Sequence, residues 1–212
     1  MTKQALLCYA PAIKQDSGPK FVKHLNFAFA AGAALLAIAA PAVAQLQSSP
    51  SVDFIEAVRK SDGGRATELL RDKPTGLVNS KAYDGDTGLL IAIQRRDDEW
   101  TSFLLDKGAD PDLPGKGGET PLIAAARLGY ETAVGWLLGQ GAKVDGTNKA
   151  GETALIVAVQ RHQVPTVRLL LNSGANPDKT DNAQGYSARD YATRDPRARD
   201  VLRLINDKKP KA

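Results

Sequence analysis

The groups that could do chemistry in this sequence are few. It holds one cysteine, Cys8, and two histidines, His24 and His162. Cys8 and His24 fall in an N-terminal stretch that reads as removable, which leaves His162 with no thiol to activate and no companions for a metal cage. Its place suits a solvated turn residue. No Gly-x-Ser-x-Gly or Walker-type loop frames a serine or a phosphate. The run Asp97-Asp98-Glu99 lacks the alternating ligands and sharp glycine turn of a calcium loop, and reads instead as the acidic start of a helix, where it meets the positive end of the dipole. Catalytic residue, cofactor and metal site are all unindicated, so the chain reads as a non-enzyme.

Basic residues, by contrast, recur. Arg59 and Lys60, Arg95 and Arg96, Arg127, Arg161 and Arg194 come at about the same point of successive helical segments. Lys116 and Lys149 are 33 residues apart, with Tyr83 in the same place one unit earlier. Stacked units would set the arginines in a column, one guanidinium per layer, and the planar fork of arginine pairs with carboxylates. Asp86, Glu119 and Glu152 partly offset that charge, and surface positions take charge for solubility alone. Both readings stand: a recognition column formed by Tyr83, Arg95, Lys116, Arg127, Lys149, Arg161 and Arg194, or a solvated face.

A strict repeat must position these residues. Gly85-Asp86-Thr87, Gly118-Glu119-Thr120, Gly151-Glu152-Thr153 and Gly185-Tyr186-Ser187 each open an apolar helical segment, at spacings of 33, 33 and 34 residues. Leu104-Leu105 with Gly108-Ala109, Leu137-Leu138 with Gly141-Ala142, and Leu170-Leu171 with Gly174-Ala175 keep the same stride. The hydroxyls of Thr87, Thr120, Thr153 and Ser187 can accept from an orphan N–H at a helix start, and Pro121 suits the first helical position. Ala92, Ala125, Ala158 and Ala192 let neighbouring helices approach closely. Gly108, Gly141 and Gly174 end the second helices.

On these residues the chain resembles the ankyrin-repeat family, with its G-x-T-P-L-H-x-A opening, LL-ended second helix and G-A-x turn. The resemblance runs from Asp53 to about Asp207 and implies an all-α solenoid of stacked antiparallel helix pairs with projecting hairpin loops. The organisation expected is an N-terminal capping unit at 52–81, repeats at 82–114, 115–147 and 148–181, a C-terminal capping repeat at 182–207 and a tail at 208–212. The family's histidine is replaced by Leu90, Ile123 and Ile156, which substitutes packing for a hydrogen-bond network. Arg189 and Asp190 stand where leucine and histidine belong, as suits a water-facing end.

Ahead of the array, Lys20, Lys23 and His24 precede the apolar run Leu25 to Ala40 and then Pro41-Ala42-Val43-Ala44-Gln45. That order predicts a secretion signal over 1–44 cut after Ala44, followed by a linker at 45–51. Translation starting at Val22 would give a signal of ordinary length. At 16 residues the run falls short of the roughly 20 that cross a bilayer as a helix. Loss of this segment removes Lys3, Lys14, Lys20, Lys23 and Asp16, so a formal charge of +4 becomes +1. Global basicity then no longer argues for nucleic acid.

The resemblance implies a non-enzymatic module for protein–protein contact through its concave face and hairpin tips; the secretion signal adds the periplasm of a bacterial envelope as its expected location, and a monomer is the expected state. Two alternatives stay open: a binder of an anionic envelope polymer or lipid head group through the arginines, and an accessory subunit of a periplasmic enzyme.

Overall fold

The structure, a computed structural model, describes residues 49–207 other than residue 73; the expected signal, most of the linker and the tail lie outside them. Helices follow one another in pairs. The first pair is α1 (Pro50–Lys60) and α2 (Gly63–Asp72), followed by a short α3 (Pro74–Leu77). Next come α4 (Gly88–Gln94) with α5 (Asp98–Asp106), α6 (Pro121–Leu128) with α7 (Glu131–Gly139), and α8 (Ala154–Gln160) with α9 (Val164–Asn172). The last pair is α10 (Ala188–Arg194) and α11 (Arg199–Asp207). No strand occurs among the described residues; three of the hairpins between pairs are closed by single antiparallel bridges, Lys81 to Thr87, Thr147 to Thr153 and Thr180 to Ser187, and the hairpin before α6 holds a 3-10 turn at Lys116–Gly118.

Helices of 7 to 11 residues are too short to persist alone, so what holds them is burial. In α8, Ala154 through Val159 are all buried, and α4 and α6 bury the corresponding runs Leu89 to Ile93 and Leu122 to Ala126. These first helices are sandwiched between neighbours, which is why they read as apolar all round. Leu90, Ile123 and Ile156, in the place of the family's histidine, are 1%, 0% and 0% exposed, so packing does replace a polar network there.

The hydroxyls do what the sequence asks of them. Thr87, Thr120, Thr153 and Ser187 accept from the backbone N–H of Leu90, Ile123, Ile156 and Asp190 at 3.2–3.3 Å. Gly108, Gly141 and Gly174 sit at φ 83°, 86° and 92° beyond the second helices.

The 34-residue spacing of the last unit is absorbed in its hairpin, between Thr180 and Ser187. Asp181, 4% exposed, gathers the longer turn around one carboxylate. Its Oδ1 accepts from the N–H of Ala183, Gln184 and Gly185, and its Oδ2 from the Tyr191 hydroxyl at 2.6 Å. Burial works to raise this carboxyl's pKa, but the bonds from Tyr191, Gln184 and Gly185 outweigh it and hold the group below its ordinary value.

Two predictions follow from these local arrangements. A folded pKa below the unfolded one means that Asp181 stabilises fully above the ordinary carboxylate range, about 3.9, and that this contribution is lost as pH falls through the folded value. Urea titrations should therefore show Asp181→Asn less stable than wild type at pH 7, with the difference shrinking towards pH 3. Gly135 lies inside α7 on its exposed side, and a Cβ there would meet nothing within 4 Å. Gly135→Ala should raise stability by about 0.5–1 kcal/mol, whereas Gly129→Ala, at φ 62° and against Gln163, should lower it.

Candidate partner-binding surface

The arginines expected in one column occupy two helical phases. Counted from the capping hydroxyl, Arg127 and Arg194 are the seventh residue and lie within α6 and α10, whereas Arg95 and Arg161 are the eighth and stand just past α4 and α8. One residue on a helix is a rotation of about 100°. The single column is therefore corrected to two rows, and most members of both are already engaged.

In three units the seventh residue of the inner row faces the residue just before the cap. Gln94 Nε2 donates to Asp86 at 3.1 Å, Arg127 Nε donates to Glu119 at 2.8 Å, and the Arg194 guanidinium lies 4.0 Å from the centre of the Tyr186 ring. Arg127 is thus neutralised within its own unit.

In the outer row Arg95 is a structural clasp. Its Nη1 donates to the carbonyls of Val58 and Arg59 at 2.9 and 3.2 Å, and its Nη2 to Ser61 Oγ and to Asp97 at 3.2 Å. Those carbonyls are at the end of α1, where a cation also meets the negative end of the helix dipole. Arg96 repeats the device one unit on: it donates to the Leu128 carbonyl at the end of α6, at 2.9 Å, and its guanidinium is 5.4 Å from the centre of the Tyr130 ring. Arg59 pairs with Asp84 at 2.5 Å and Lys60 with Glu56 at 2.7 Å. The Arg161 side chain is exposed and makes no hydrogen bond or ion pair among the described residues.

The turn between paired helices carries a feature that residue type alone conceals. Ser61, Arg96 and His162 take positive φ, at 57°, 54° and 55°, in the place where Gly129 has 62°. The reading of His162 as a solvated turn residue needs correction, because its ring is half-buried and its Nε2 lies 3.2 Å from Asp195 of the next unit. The alignment of His162 with Gly129 held the signal for the left-handed turn; nothing in the sequence signalled the reach across.

The hairpin tips differ from the helix ends. Tyr83 is fully exposed, and Lys116 and Lys149 are exposed with no side-chain partner among the described residues. Backbone bonds tie neighbouring tips: Lys149 N–H donates to Gly117 O at 3.1 Å and Asn182 N–H to Ala150 O at 2.8 Å. Lower down, Asn79, Asp112 and Asp145 each accept from a backbone N–H 31 residues later, those of Asp110, Lys143 and Asn176, at 2.8–2.9 Å. Tyr83, Lys116 and Lys149 therefore stand on a braced ridge with their functional groups free.

Comparison with known families agrees with this architecture. The family model described as ankyrin repeats (3 copies) matches residues 54–148 and 133–211. No curated protein matches the sequence.

The division of the arginines into clasps and free groups is measurable. Arg95→Gln should cost about 1–2 kcal/mol in urea unfolding, since it strips several charge-assisted bonds from the α1 terminus. Arg161→Gln should change stability by no more than about 0.5 kcal/mol. Small, equal effects at both positions would contradict the assignment.

Proposed function

The chain belongs to the ankyrin-repeat family, and from that premise we propose that it is a non-enzymatic binding module of the bacterial envelope that holds an acidic segment of a protein partner along its tip ridge. Ankyrin repeats are protein–protein interaction modules. The observation that carries the finer reading is the contrast in availability: Arg95 and Arg127 are consumed by internal bonds, while Tyr83, Lys116 and Lys149 are exposed and unpaired. A tyrosine gives a large amphipathic contact, and ammonium groups on a rigid ridge lose little backbone entropy on binding. Arg161 and Arg194, on the flank, extend the cationic surface.

Export is the other part of the proposal. The apolar run Leu25 to Ala40 behind Lys20 and Lys23, with Ala42-Val43-Ala44 after it, supports secretion with removal of the first 44 residues. N-terminal sequencing of the protein recovered from fractionated cells should then read from Gln45, in the periplasmic fraction.

Partner capture from that fraction should be lost on charge reversal at Lys116 and Lys149 together, with circular dichroism unchanged, and kept on Arg127→Gln. Capture that survives the double reversal defeats the ridge assignment. Binding that vanishes steeply with salt and ignores partner sequence would point to an anionic polymer in place of a protein.

A further inference from the structure

The acidic run at the start of α5 comes apart into three roles. Asp97 caps the helix, its Oδ1 accepting from Trp100 N–H at 3.0 Å, and its Oδ2 takes Arg95 at 3.2 Å. Asp98 accepts from the Tyr130 hydroxyl of the next unit, and burial together with that bond pushes the phenol up to about 12, so it stays a donor at neutral pH. Glu99 alone has no use inside the protein: its carboxylate makes no hydrogen bond or ion pair among the described residues.

Glu99 stands at the mouth of a cavity of about 270 Å³ lined by Ser61, Gly63, Asp97, Glu99, Trp100 and Phe103. Sites for drug-sized ligands run to roughly 300–1,000 Å³, so this one suits a single side chain. Its space has a local cause. Gly63 opens α2, and a Cβ there would meet nothing within 4 Å, so the wall of the capping unit is bare backbone where a side chain would otherwise fill the gap. The floor is aromatic: the Trp100 and Phe103 rings meet edge to face, with centres 5.5 Å apart. The position of Trp100 holds Ala133 and Thr166 in the next two units, so this floor is peculiar to the α2–α5 junction.

Charge selects the ligand. In the neighbouring segments Arg95 is spent on Asp97, Ser61 and the α1 carbonyls, Arg65 is held by Glu68 at 2.9 Å and Asp53 at 3.7 Å, and Lys60 is held by Glu56 at 2.7 Å. Asp62 accepts from the Arg65 backbone N–H. Among the lining residues, Asp97 and Glu99 are carboxylates and none is a cation, and with Asp97 taken by Arg95, Glu99 is left uncompensated. Aromatic faces attract cations, and the same attraction operates within the chain at the outer side, where Lys107 Nζ lies 5.5 Å from the Phe103 ring centre.

We propose that this cavity binds a cationic side chain, an arginine or lysine presented by a polypeptide, with Glu99 as its counter-charge and Trp100 and Phe103 as an apolar floor for its stem. The site lies at the junction of the first two helix pairs, away from the tip ridge, and its charge preference is the opposite of the ridge's. Its failure would leave the ridge assignment untouched.

The test uses the indole N–H of Trp100 as a reporter in 1H–15N spectra, distinguished from that of Trp136 by the Trp136→Phe variant. Titration with N-acetyl-arginine amide or N-acetyl-lysine amide should shift the Trp100 signal with a dissociation constant on the order of 1 mM. N-acetyl-norleucine amide, which keeps an aliphatic stem without charge, should bind at least about tenfold more weakly. Glu99→Gln should weaken the cationic probes about three- to tenfold, and Gly63→Leu should abolish the shift by filling the space. An unshifted Trp136 signal certifies the fold of each variant. The proposal is overturned if neither cation moves the Trp100 signal at about 30 mM, or if norleucine amide, Glu99→Gln and Gly63→Leu all titrate like the wild-type complex with arginine amide.

Discussion

Each unit of this chain satisfies part of the next unit's backbone, and the rest of the structure depends on that debt. Burial of α4, α6 and α8 supplies the cohesion, but apolar contact does not fix register. Register comes from polar groups that reach one unit forward or back: Asn79, Asp112 and Asp145 to amides 31 residues later, Lys81 and Lys179 to carbonyls of neighbouring hairpins, and Arg95 and Arg96 to the ends of neighbouring first helices. Most of these bonds are exposed, so each contributes only about 0.5–1.5 kcal/mol net, and their hold on register comes from their number and fixed stride.

That constraint explains why charge in this protein divides as it does. A cation within reach of an open helix end is drawn to the carbonyls there, and the phase of one residue decides whether it gets there. Arg95, one position beyond Gln94, reaches α1; Arg127, one position earlier in its unit, turns back to Glu119. Arg161 shares the phase of Arg95 but has Gly129 and Gln163 where Arg95 has Ser61 and Asp97, and its side chain stays free. The hairpin tips lie beyond the reach of any helix terminus, which is why Lys116 and Lys149 keep their charges for solvent or a partner.

The fold was legible in the sequence because its determinants are local and periodic. Capping hydroxyls, the glycines after the second helices and the small alanines each act within a few residues of their own position. The surface was legible only in part. The exposure of Tyr83, Lys116 and Lys149 follows from loop position, but the fates of Arg95 and Arg96 depend on atoms 32 to 37 residues away in the chain. Nor could a run of three acids announce that its first member caps a helix, its second holds a tyrosine of the next unit and its third faces a cavity, since the first role is local and the other two are set by neighbours. The cavity itself arises from Gly63, a glycine in the irregular capping unit, where no repeat pattern existed to be broken.

The last helix pair shows how the same ladder is brought to a close. The rung after Asn79, Asp112 and Asp145 is Asp178, and its partner is a side chain: Arg189 Nε donates to it at 2.6 Å, and Arg189 Nη1 donates to Asn206 of α11 at 2.6 Å. Arg189 occupies the position at which Leu89, Leu122 and Leu155 are buried in the preceding units. Replacing that leucine by arginine exchanges an apolar face for a group that clamps the hairpin base to the outer helix, and the partners hold the guanidinium's pKa above its ordinary value. Asp190 beside it closes a capping box with Ser187 where Leu90, Ile123 and Ile156 pack in the other units. Two adjacent substitutions thus convert a stacking surface into one that satisfies its own polar groups, so that the two residues least like the repeat are the ones that finish it.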